Sequence, residues 1–439
     1  MITIEVNINS CRFLLTHLVL FTSLTLSINV FADGVDSTDP FNFDLSSDSH
    51  LESSKQFSHE DKKIEKWDWS GTVSLRNQYR LPKSSWLSNR FRIALNNSYK
   101  HNQWTFFSRS ILDVDPAITD YSDLTSIELR EVYVSFDSAL YEHNIQFTFG
   151  KQRLAWGTAD GRSTIDRINA VDFSDPINNA RTSSKRPSWL LSIEQSLPIG
   201  VLEVVWLPRG RDRKLAEYNS PWESTALNKL RTDAIDNGTS LTIADPHKSE
   251  GGLRLTQYGQ GLDWGFAIFN GYTDAPSTLI VEQNNTRLIP NRMNTFNVNM
   301  AKGLPQSTLR GEISYTPNYP VFNGGEESLM QYIIGWDRTY FINFYMNIQL
   351  FLDEYSVSKD SYGMTYSLSD KFYYDAIEAG VRGQLSNQSQ YSVETFMEYT
   401  IDDNYALDLR YIAFGGDDGS TLGDLSDNSY FEFEIRYSF

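Results

Sequence analysis

The chain is nearly without cysteine: Cys11 is the only one among 439 residues. It lies beside an apolar run from Phe13 to about Val30, and Val30-Phe31-Ala32 places small residues at the −3 and −1 positions of a cleavage site. This pattern predicts a secretory signal peptide over residues 1–32, cleaved after Ala32. An uncleaved membrane anchor is the alternative, but the run is short for a spanning helix and contains polar residues. Cleavage would remove the thiol, so the mature chain could form neither a disulfide nor a cysteine metal site.

Long hydrophobic runs are also missing after residue 32. No stretch there approaches the roughly 18 to 20 apolar residues that a spanning helix needs, and the mean hydropathy is −0.41. The aromatic content is nevertheless 14%, with 26 Phe, 24 Tyr and 10 Trp. A membrane β-barrel combines these two properties, because it alternates apolar residues with lumen residues and collects aromatics at the membrane interfaces.

Basic residues and histidines are scarce. The formal charge of −18 excludes nucleic acid as an expected partner, because phosphate binding needs a basic surface. After the predicted signal the histidines are few and scattered, and no Gly-x-Ser-x-Gly segment occurs; they are His50, His59, His101, His143 and His247. A nucleophile–base pair or a metal site is therefore not expected. We predict that the chain is not an enzyme and needs no metal and no cofactor.

The rest of the chain divides by composition. Residues 33–66 are rich in Ser and Asp and predict a disordered periplasmic tail. Residues 67–439 form segments of about ten residues in which apolar and polar side chains alternate, which is the pattern of a membrane β-barrel. The last segment is the clearest, since Phe431, Phe433, Ile435, Tyr437 and the terminal Phe439 fall on one face of a strand.

The connections also alternate in length. Short turn-like links occur near residues 101–103, 197–200, 259–261, 303–305 and 402–404, and longer polar stretches cover 155–185, 208–249, 274–289 and 415–428. Short periplasmic turns and long outer loops are typical of such barrels. The clear segments come to an odd number, and the weak segment Tyr362-Met364-Tyr366 restores an even one. We predict an all-β, transmembrane, antiparallel up-and-down barrel of about eighteen strands, with about sixteen as the alternative.

Charged residues on the polar face of the predicted strands are candidates to line the lumen. They are Arg92, Arg310, Glu312, Glu394, Asp408, Arg410, Glu434 and Arg436. Because a register shift of one residue moves every side chain to the other face, each assignment depends on its strand.

The most distinctive segment follows an early strand. It reads Gly150-Lys151-Gln152-Arg153-Leu154-Ala155-Trp156-Gly157-Thr158-Ala159-Asp160-Gly161 and continues from Ile165 to Phe173. Here the sequence resembles a largely uncharacterised proteobacterial family of porin-like outer-membrane barrels, akin to the alginate-export porins, whose members carry a "GKQ…WG…D…N…D" segment. Looser resemblance extends from about residue 67 to the aromatic terminus, including Leu129–Tyr133, Trp264-Gly265-Phe266 and Gly335–Thr339. The family often has Asn-Pro where this chain has Asn169-Ala170.

This segment offers a constriction of the pore if it folds into the lumen. Its candidate residues are Lys151, Arg153, Trp156, Asp160, Arg162, Asp166, Arg167, Asn169 and Asp172. Facing charges of both signs would set the field that a permeating solute crosses. The alternative is an extracellular loop held by its own salt bridges. Trp156 fits a sugar-stacking platform or an interfacial girdle residue, and the girdle is favoured. The basic cluster 209–214 is interpreted as solvated.

Three functions remain after these exclusions. The first is a porin-like channel for passive or weakly selective diffusion of a small organic or saccharide solute, in the outer membrane of a Gram-negative bacterium. The second is a structural or export-associated barrel that works with a periplasmic or inner-membrane partner through the tail 33–66. The third, an outer-membrane enzyme, is disfavoured. The expected partners are outer-membrane lipid, lipopolysaccharide and a small solute, and a homo-oligomer is left open.

Overall fold

The computed structural model describes residues 65–439 except 141–142, 160, 175–184, 212–213, 245–247, 260, 275, 283–284 and 323–324. The predicted signal peptide and all of the predicted tail up to residue 64 therefore lie outside the described residues. The first strand begins at Glu65, two residues before the predicted start of the barrel.

The described chain is almost entirely strand. The elements are β1 (Glu65–Arg80), β2 (Ser85–His101), β3 (Trp104–Val114), β4 (Thr125–Leu140), β5 (His143–Gln152), β6 (Ser188–Leu197), β7 (Gly200–Leu207), α1 (Thr225–Asp236), β8 (Leu241–Ile243), β9 (Glu250–Gln257), β10 (Asp263–Tyr272), β11 (Thr278–Glu282), β12 (Asn285–Ile289), β13 (Arg292–Leu304), β14 (Ser307–Val321), β15 (Gly325–Tyr340), β16 (Phe344–Tyr355), β17 (Ser361–Phe372), β18 (Ile377–Ser386), β19 (Tyr391–Thr400), β20 (Tyr405–Gly415) and β21 (Tyr430–Ser438), with short 3₁₀ turns at Pro116–Ile118 and Ser426–Asn428.

Eighteen of these strands form one closed antiparallel barrel. Each barrel strand pairs with the next barrel strand along the chain. β8, β11 and β12 are not part of the barrel and form a small separate sheet in the long connections. The barrel closes where β1 pairs with β21, with Thr72 opposite Ser438. The predicted fold and the count of eighteen are confirmed. The weak segment at residues 362–366 is part of β17.

Alternation along each strand separates an outward apolar face from an inward polar face. In β21, Phe431 is 43% exposed and its neighbour Glu432 is 2% exposed. Successive side chains of a strand point to opposite sides, so Phe431 faces lipid and Glu432 faces the interior. The same reversal between neighbours occurs at Ile313 and Glu312 in β14.

The two ends of the barrel differ as the sequence predicts. Short turns follow β2, β6, β13, β15 and β17, and β1 begins and β21 ends at the same end, which we call the turn end. The long connections after β3, β5, β7, β10 and β20 lie at the opposite, loop end. The connection after β7 contains α1, whose Ser224 hydroxyl accepts a hydrogen bond from the Leu227 N–H (3.3 Å) and caps the helix. In the described part of the chain no helix is long and apolar enough to cross a membrane.

Candidate functional site

Residues 153–174 of the β5–β6 connection, all of them described except 160, are here called the crossing segment. The side chain of Asn169 holds together the two ends of the connection, where it leaves β5 and where it returns to β6. The Asn169 side-chain oxygen accepts from the Leu154 N–H (2.7 Å), and its amide donates to the carbonyls of Gln152 (3.3 Å) and Arg186 (3.0 Å). At the start of the segment Arg153 lies 3.3 Å from Glu131 of β4. One asparagine thus joins both ends of the loop, which leaves the middle free to extend away from β5.

The apolar side of the segment packs on the inner wall. Trp156, Ile165 and Ile168 are fully buried. They share one cluster with wall residues of β6, β7 and β10, namely Leu190, Val205, Leu207, Ala267 and Phe269. These residues face inward because their neighbours along the strands, among them Trp206 and Ile268, are exposed on the lipid side.

The Trp156 side chain is held by a hydrogen bond and by apolar packing. Its Nε1–H donates to Glu203 of β7 (2.9 Å). The indole lies against Gly252 of β9, where a Cβ atom would come within 2.7 Å of the ring. The interpretation of Trp156 as a girdle residue is therefore wrong, because the ring is buried inside the barrel. The same burial leaves no free face on which a sugar could stack.

The far side of the segment is held by one carboxylate, Glu312 of β14. Its Oε1 accepts from the Thr158 N–H (2.8 Å) and the Ala159 N–H (2.9 Å). Its Oε2 accepts from the Ser163 hydroxyl (2.8 Å), the Thr164 N–H (2.9 Å) and the Thr164 hydroxyl (3.3 Å). Glu312 is 1% exposed. Backbone donors of a loop that would otherwise be unpaired inside the barrel are thus satisfied by a wall residue.

Further anchors lie on β15 and β16. The Gln349 side-chain oxygen accepts from the N–H groups of Gly161 (3.1 Å) and Arg162 (2.9 Å). The Arg162 guanidinium forms an ion pair with Asp353 and lies 4.4 Å from the Phe351 ring centroid. Arg167 donates to Gln331 of β15 (2.6 Å). The segment therefore runs from β5 across the interior to β14, β15 and β16, roughly the opposite wall.

Other candidates of the segment stay near its base. Lys151 donates to the Leu129 carbonyl (2.9 Å) and lies 3.5 Å from Glu128. Asp166 lies 3.9 Å from Lys185, and Asp172 lies 3.4 Å from Arg186. Asp160 and residues 175–184 lie outside the described residues. The partners of the described segment are mainly wall residues, which differs from a loop held by its own salt bridges. A role in selectivity stays a prediction.

The strand candidates lie on the polar side of their strands, and all but Glu312 and Glu434 are shown in ion pairs. The pairs are Arg92–Asp113, Arg310–Asp337, Glu394–Arg382, Arg410–Glu432 and Arg436–Asp408, while Glu434 stands opposite Arg76 in the register. Glu394, Asp408, Arg410 and Arg436 come together in one network on β19, β20 and β21. Arg92 and Arg310 lie on other parts of the wall. That these groups line a water-filled path stays a prediction.

Arg211 was missed as a site residue. The interpretation of residues 209–214 as solvated is wrong at this position, because the Arg211 side chain is fully buried between Glu250 (3.0 Å) and Asp274 (2.7 Å). Burial alone would lower the pKa of Arg211, but Asp274 and Glu250 outweigh it and the pKa is raised. The guanidinium also donates to the Arg167 carbonyl of the crossing segment (2.6 Å). A charge run does not reveal which member is buried, so the sequence offered no signal.

A second connection also crosses the loop end. Residues 214–222, here called the strap, leave the β7 side, where the Phe173 N–H of the crossing segment donates to the Lys214 carbonyl (2.8 Å). Ala216 and Trp222 are buried against the opposite rim, in a cluster with Leu87 of β2, Ile412 and Phe414 of β20, Leu425, and Tyr430 of β21. The Pro221 carbonyl accepts a hydrogen bond from Asn428. The strap therefore bridges the mouth of the barrel from the β7 side to the rim at β2, β20 and β21.

The chain is similar to one protein family and to several solved structures. A family described as "Protein of unknown function (DUF1302)" matches residues 14–365. Solved structures similar to this chain include a Salmonella typhi OmpF complex with daunomycin (11% identity, 86% of this chain and 100% of that chain, TM-score 0.44). They also include a loop L8 deletion mutant of OmpT from Vibrio cholerae (10% identity, 85% and 99%, TM-score 0.45) and a mutant of Rh. blastica porin (10%, 85% and 100%, TM-score 0.40). No curated protein matches the chain. The predicted relation to alginate-export porins stays a prediction.

Proposed function

We propose that this chain, which belongs to the DUF1302 family of proteins of unknown function, is a porin-like channel for a small organic or saccharide solute. Its proposed location is the outer membrane of a Gram-negative bacterium, where closed antiparallel barrels of this kind occur. Barrels of about sixteen to eighteen strands are wide enough to leave an aqueous channel. The proposal assigns no catalytic residue and no cofactor.

The observation that carries the proposal is the docking of the crossing segment on the inner wall. The segment is fixed at Asn169, at Trp156 and at Glu312. A connection secured at three places inside a barrel narrows the lumen at a defined level. Narrowing by a fixed loop is what a diffusion channel needs in order to select by size and charge.

The charges beside the narrowed region support weak selectivity. The wall from β18 through β21 and β1 to β3 carries both signs in paired form, for example Arg382–Glu394 and Arg92–Asp113. On the segment, Arg153 and Arg162 retain side-chain exposures of 27% and 33%. Facing groups of both signs favour polar solutes over strongly charged ones.

Single-channel recording tests the proposal. The mature protein is refolded in planar bilayers, and the reversal potential is measured in a salt gradient for the wild type, Arg153→Gln and Arg162→Gln. Steady conductance with a shift towards cations in both variants is expected. The matched control is Lys359→Gln, an exposed residue between β16 and β17, which should leave the reversal potential unchanged. A barrel that folds but never conducts would refute the channel.

A gated or partner-dependent barrel is the second candidate, and the strap favours it because it bridges the mouth. In that case the wild type would conduct rarely, and release of the strap would raise conductance. Deleting residues 33–64, which leaves β1 intact, tests dependence on a periplasmic partner. Unchanged conductance and solute uptake after the deletion would count against such a partner.

A further inference from the structure

Two neighbouring turns at the turn end present large apolar side chains to the outside. They are Phe341 and Ile342 between β15 and β16, and Tyr373 and Tyr374 between β17 and β18. Phe341, Ile342 and Tyr374 are 99%, 87% and 95% exposed. These values exceed those of the lipid-facing strand residues, and we call the four residues the turn patch. Isolated exposed apolar residues are common, but a contiguous group of this size marks a contact surface.

The backbone holds the turn patch in a defined position. Phe341, Tyr373 and Tyr374 have φ angles of +55°, +54° and +57°. This left-handed region is unfavourable for bulky side chains, and glycine or asparagine is the usual occupant. The two turns are joined by a hydrogen bond from the Asn343 amide to Asp375 (2.9 Å). The turns are therefore fixed to each other, and their outward side chains form one surface.

The turn patch is continuous with the lipid-facing belt of the barrel. Tyr340 ends β15 and Phe344 begins β16, with their ring centroids 6.4 Å apart. Phe372, which directly precedes Tyr373, is 50% exposed at the end of β17. These three aromatics belong to the girdle at which a barrel meets the membrane interface. The turn patch follows them in the chain on the same strands, so the apolar surface extends past the ends of the strands.

We infer that the turn patch inserts into the lipid leaflet next to the turn end. Phenylalanine and isoleucine gain from leaving water, and tyrosine is suited to the headgroup level because its ring is apolar and its hydroxyl is polar. Two other turns at this end are polar, with Asn102-Gln103 after β2 and Asp402-Asp403-Asn404 after β19. The barrel therefore sits deeper in the leaflet on the β15–β18 side than on the β19–β2 side.

Site-directed fluorescence tests the insertion, and the near absence of cysteine makes it simple. Ile342→Cys and Tyr374→Cys are made in a Cys11→Ser background and labelled with an environment-sensitive fluorophore. Gln103→Cys and Asp403→Cys, at the polar turns, are the matched controls. The full chains are refolded in vesicles of phosphatidylcholine with or without brominated acyl chains, and each is checked for folding by its heat-modifiable mobility on a gel.

Labels at residues 342 and 374 are expected to emit at shorter wavelength and to lose most of their emission to brominated lipid. Labels at residues 103 and 403 should instead lose it to aqueous iodide. Equal iodide quenching at all four positions would overturn the insertion. Shielding at 342 and 374 that appears only after a periplasmic extract is added would also overturn it, because the patch would then bind protein. Neither result depends on whether the barrel conducts.

Discussion

Replacement of Glu312 isolates the interaction that holds the crossing segment on the far wall. In Glu312→Ala all five hydrogen bonds to residues 158–164 are lost. In Glu312→Gln the amide oxygen keeps the two bonds to Thr158 and Ala159. The Ser163 and Thr164 hydroxyls can turn round to accept from the new amide group. The Thr164 N–H then meets a donor and loses its partner.

The magnitudes follow from the number of bonds. Each intramolecular hydrogen bond contributes about 1 kcal/mol net, and bonds to a charged group contribute more. Glu312→Ala should therefore weaken docking of the segment by about 5 kcal/mol, and Glu312→Gln by about 2 kcal/mol. Since each 1.4 kcal/mol is a factor of about ten, the released population should rise by roughly three and a half orders of magnitude in the alanine variant. In the glutamine variant it should rise roughly thirtyfold.

Two assays measure the release of the crossing segment from the wall. Hydrogen exchange of the amides of Thr158, Ala159 and Thr164 should accelerate in the order wild type, glutamine, alanine. In single-channel records the same order should appear as larger mean conductance and stronger flicker, because a released segment moves within the lumen. The exchange result tests the docking geometry, and the conductance result tests its role in the channel.

The matched control is Glu354→Ala, which removes the same charge from an exposed position of β16. It should change neither exchange nor conductance. The reasoning is refuted if Glu312→Ala folds and its three amides exchange at the wild-type rate. If exchange accelerates and conductance does not change, the segment is docked by Glu312 but does not limit the current.

Three further variants test the other anchors. Trp156→Phe removes the bond to Glu203 while keeping an aromatic ring, and should loosen the crossing segment by about 1 kcal/mol, measured by hydrogen exchange over residues 153–170. Arg211→Met removes the guanidinium that forms ion pairs with buried Glu250 and part-buried Asp274, and should lower the free energy of unfolding in detergent by about 3–5 kcal/mol, whereas Arg209→Met at an exposed position should change it by less than about 0.5 kcal/mol. Trp222→Ala removes the main apolar contact of the strap and should admit larger polyethylene glycols, measured by their effect on conductance.

Each of these variants has an outcome that contradicts its premise. Exchange unchanged in Trp156→Phe would mean that apolar packing alone holds the indole. Equal stability of Arg211→Met and Arg209→Met would mean that the buried arginine contributes no net stability to the connections it joins. An unchanged size limit in Trp222→Ala would place the narrowest point of the path below the strap.

The fold could be predicted from the sequence because lipid and polar interior impose opposite demands on neighbouring residues. In β21 apolar and polar residues alternate without interruption from Phe431 to Tyr437, so this strand alone indicates a wall between lipid and a polar interior. β17 is weaker because its inward residues Gly363, Thr365 and Ser367 are small and uncharged, and there the even number of strands supplied the missing information. Register was predictable for the same reason, since a slip of one residue would turn Glu432 towards lipid.

The site was less accessible to sequence reasoning. Alternation predicts that Glu312 faces inward, but nothing local indicates that it binds a loop more than a hundred residues away. Trp156 could not be placed because its burial depends on Gly252 and Phe269, which the chain brings close only when the barrel closes. Arg211 was hidden among charged neighbours, of which Arg209 and Lys214 are exposed. The positions of these three side chains depend on contacts with residues that are distant in the sequence.

The separation between the crossing segment and its anchors constrains how the molecule can be assembled. Thr158 is 154 residues from Glu312, and Arg162 is 191 residues from Asp353. Until β14 and β16 are in place, the N–H groups of Thr158, Ala159 and Thr164 lack their acceptor Glu312, and those of Gly161 and Arg162 lack Gln349. This part of the segment therefore cannot dock before those strands have formed. Protection of these five amides from exchange during refolding would report on completion of the barrel, and a truncation before β14 should leave them without their acceptors.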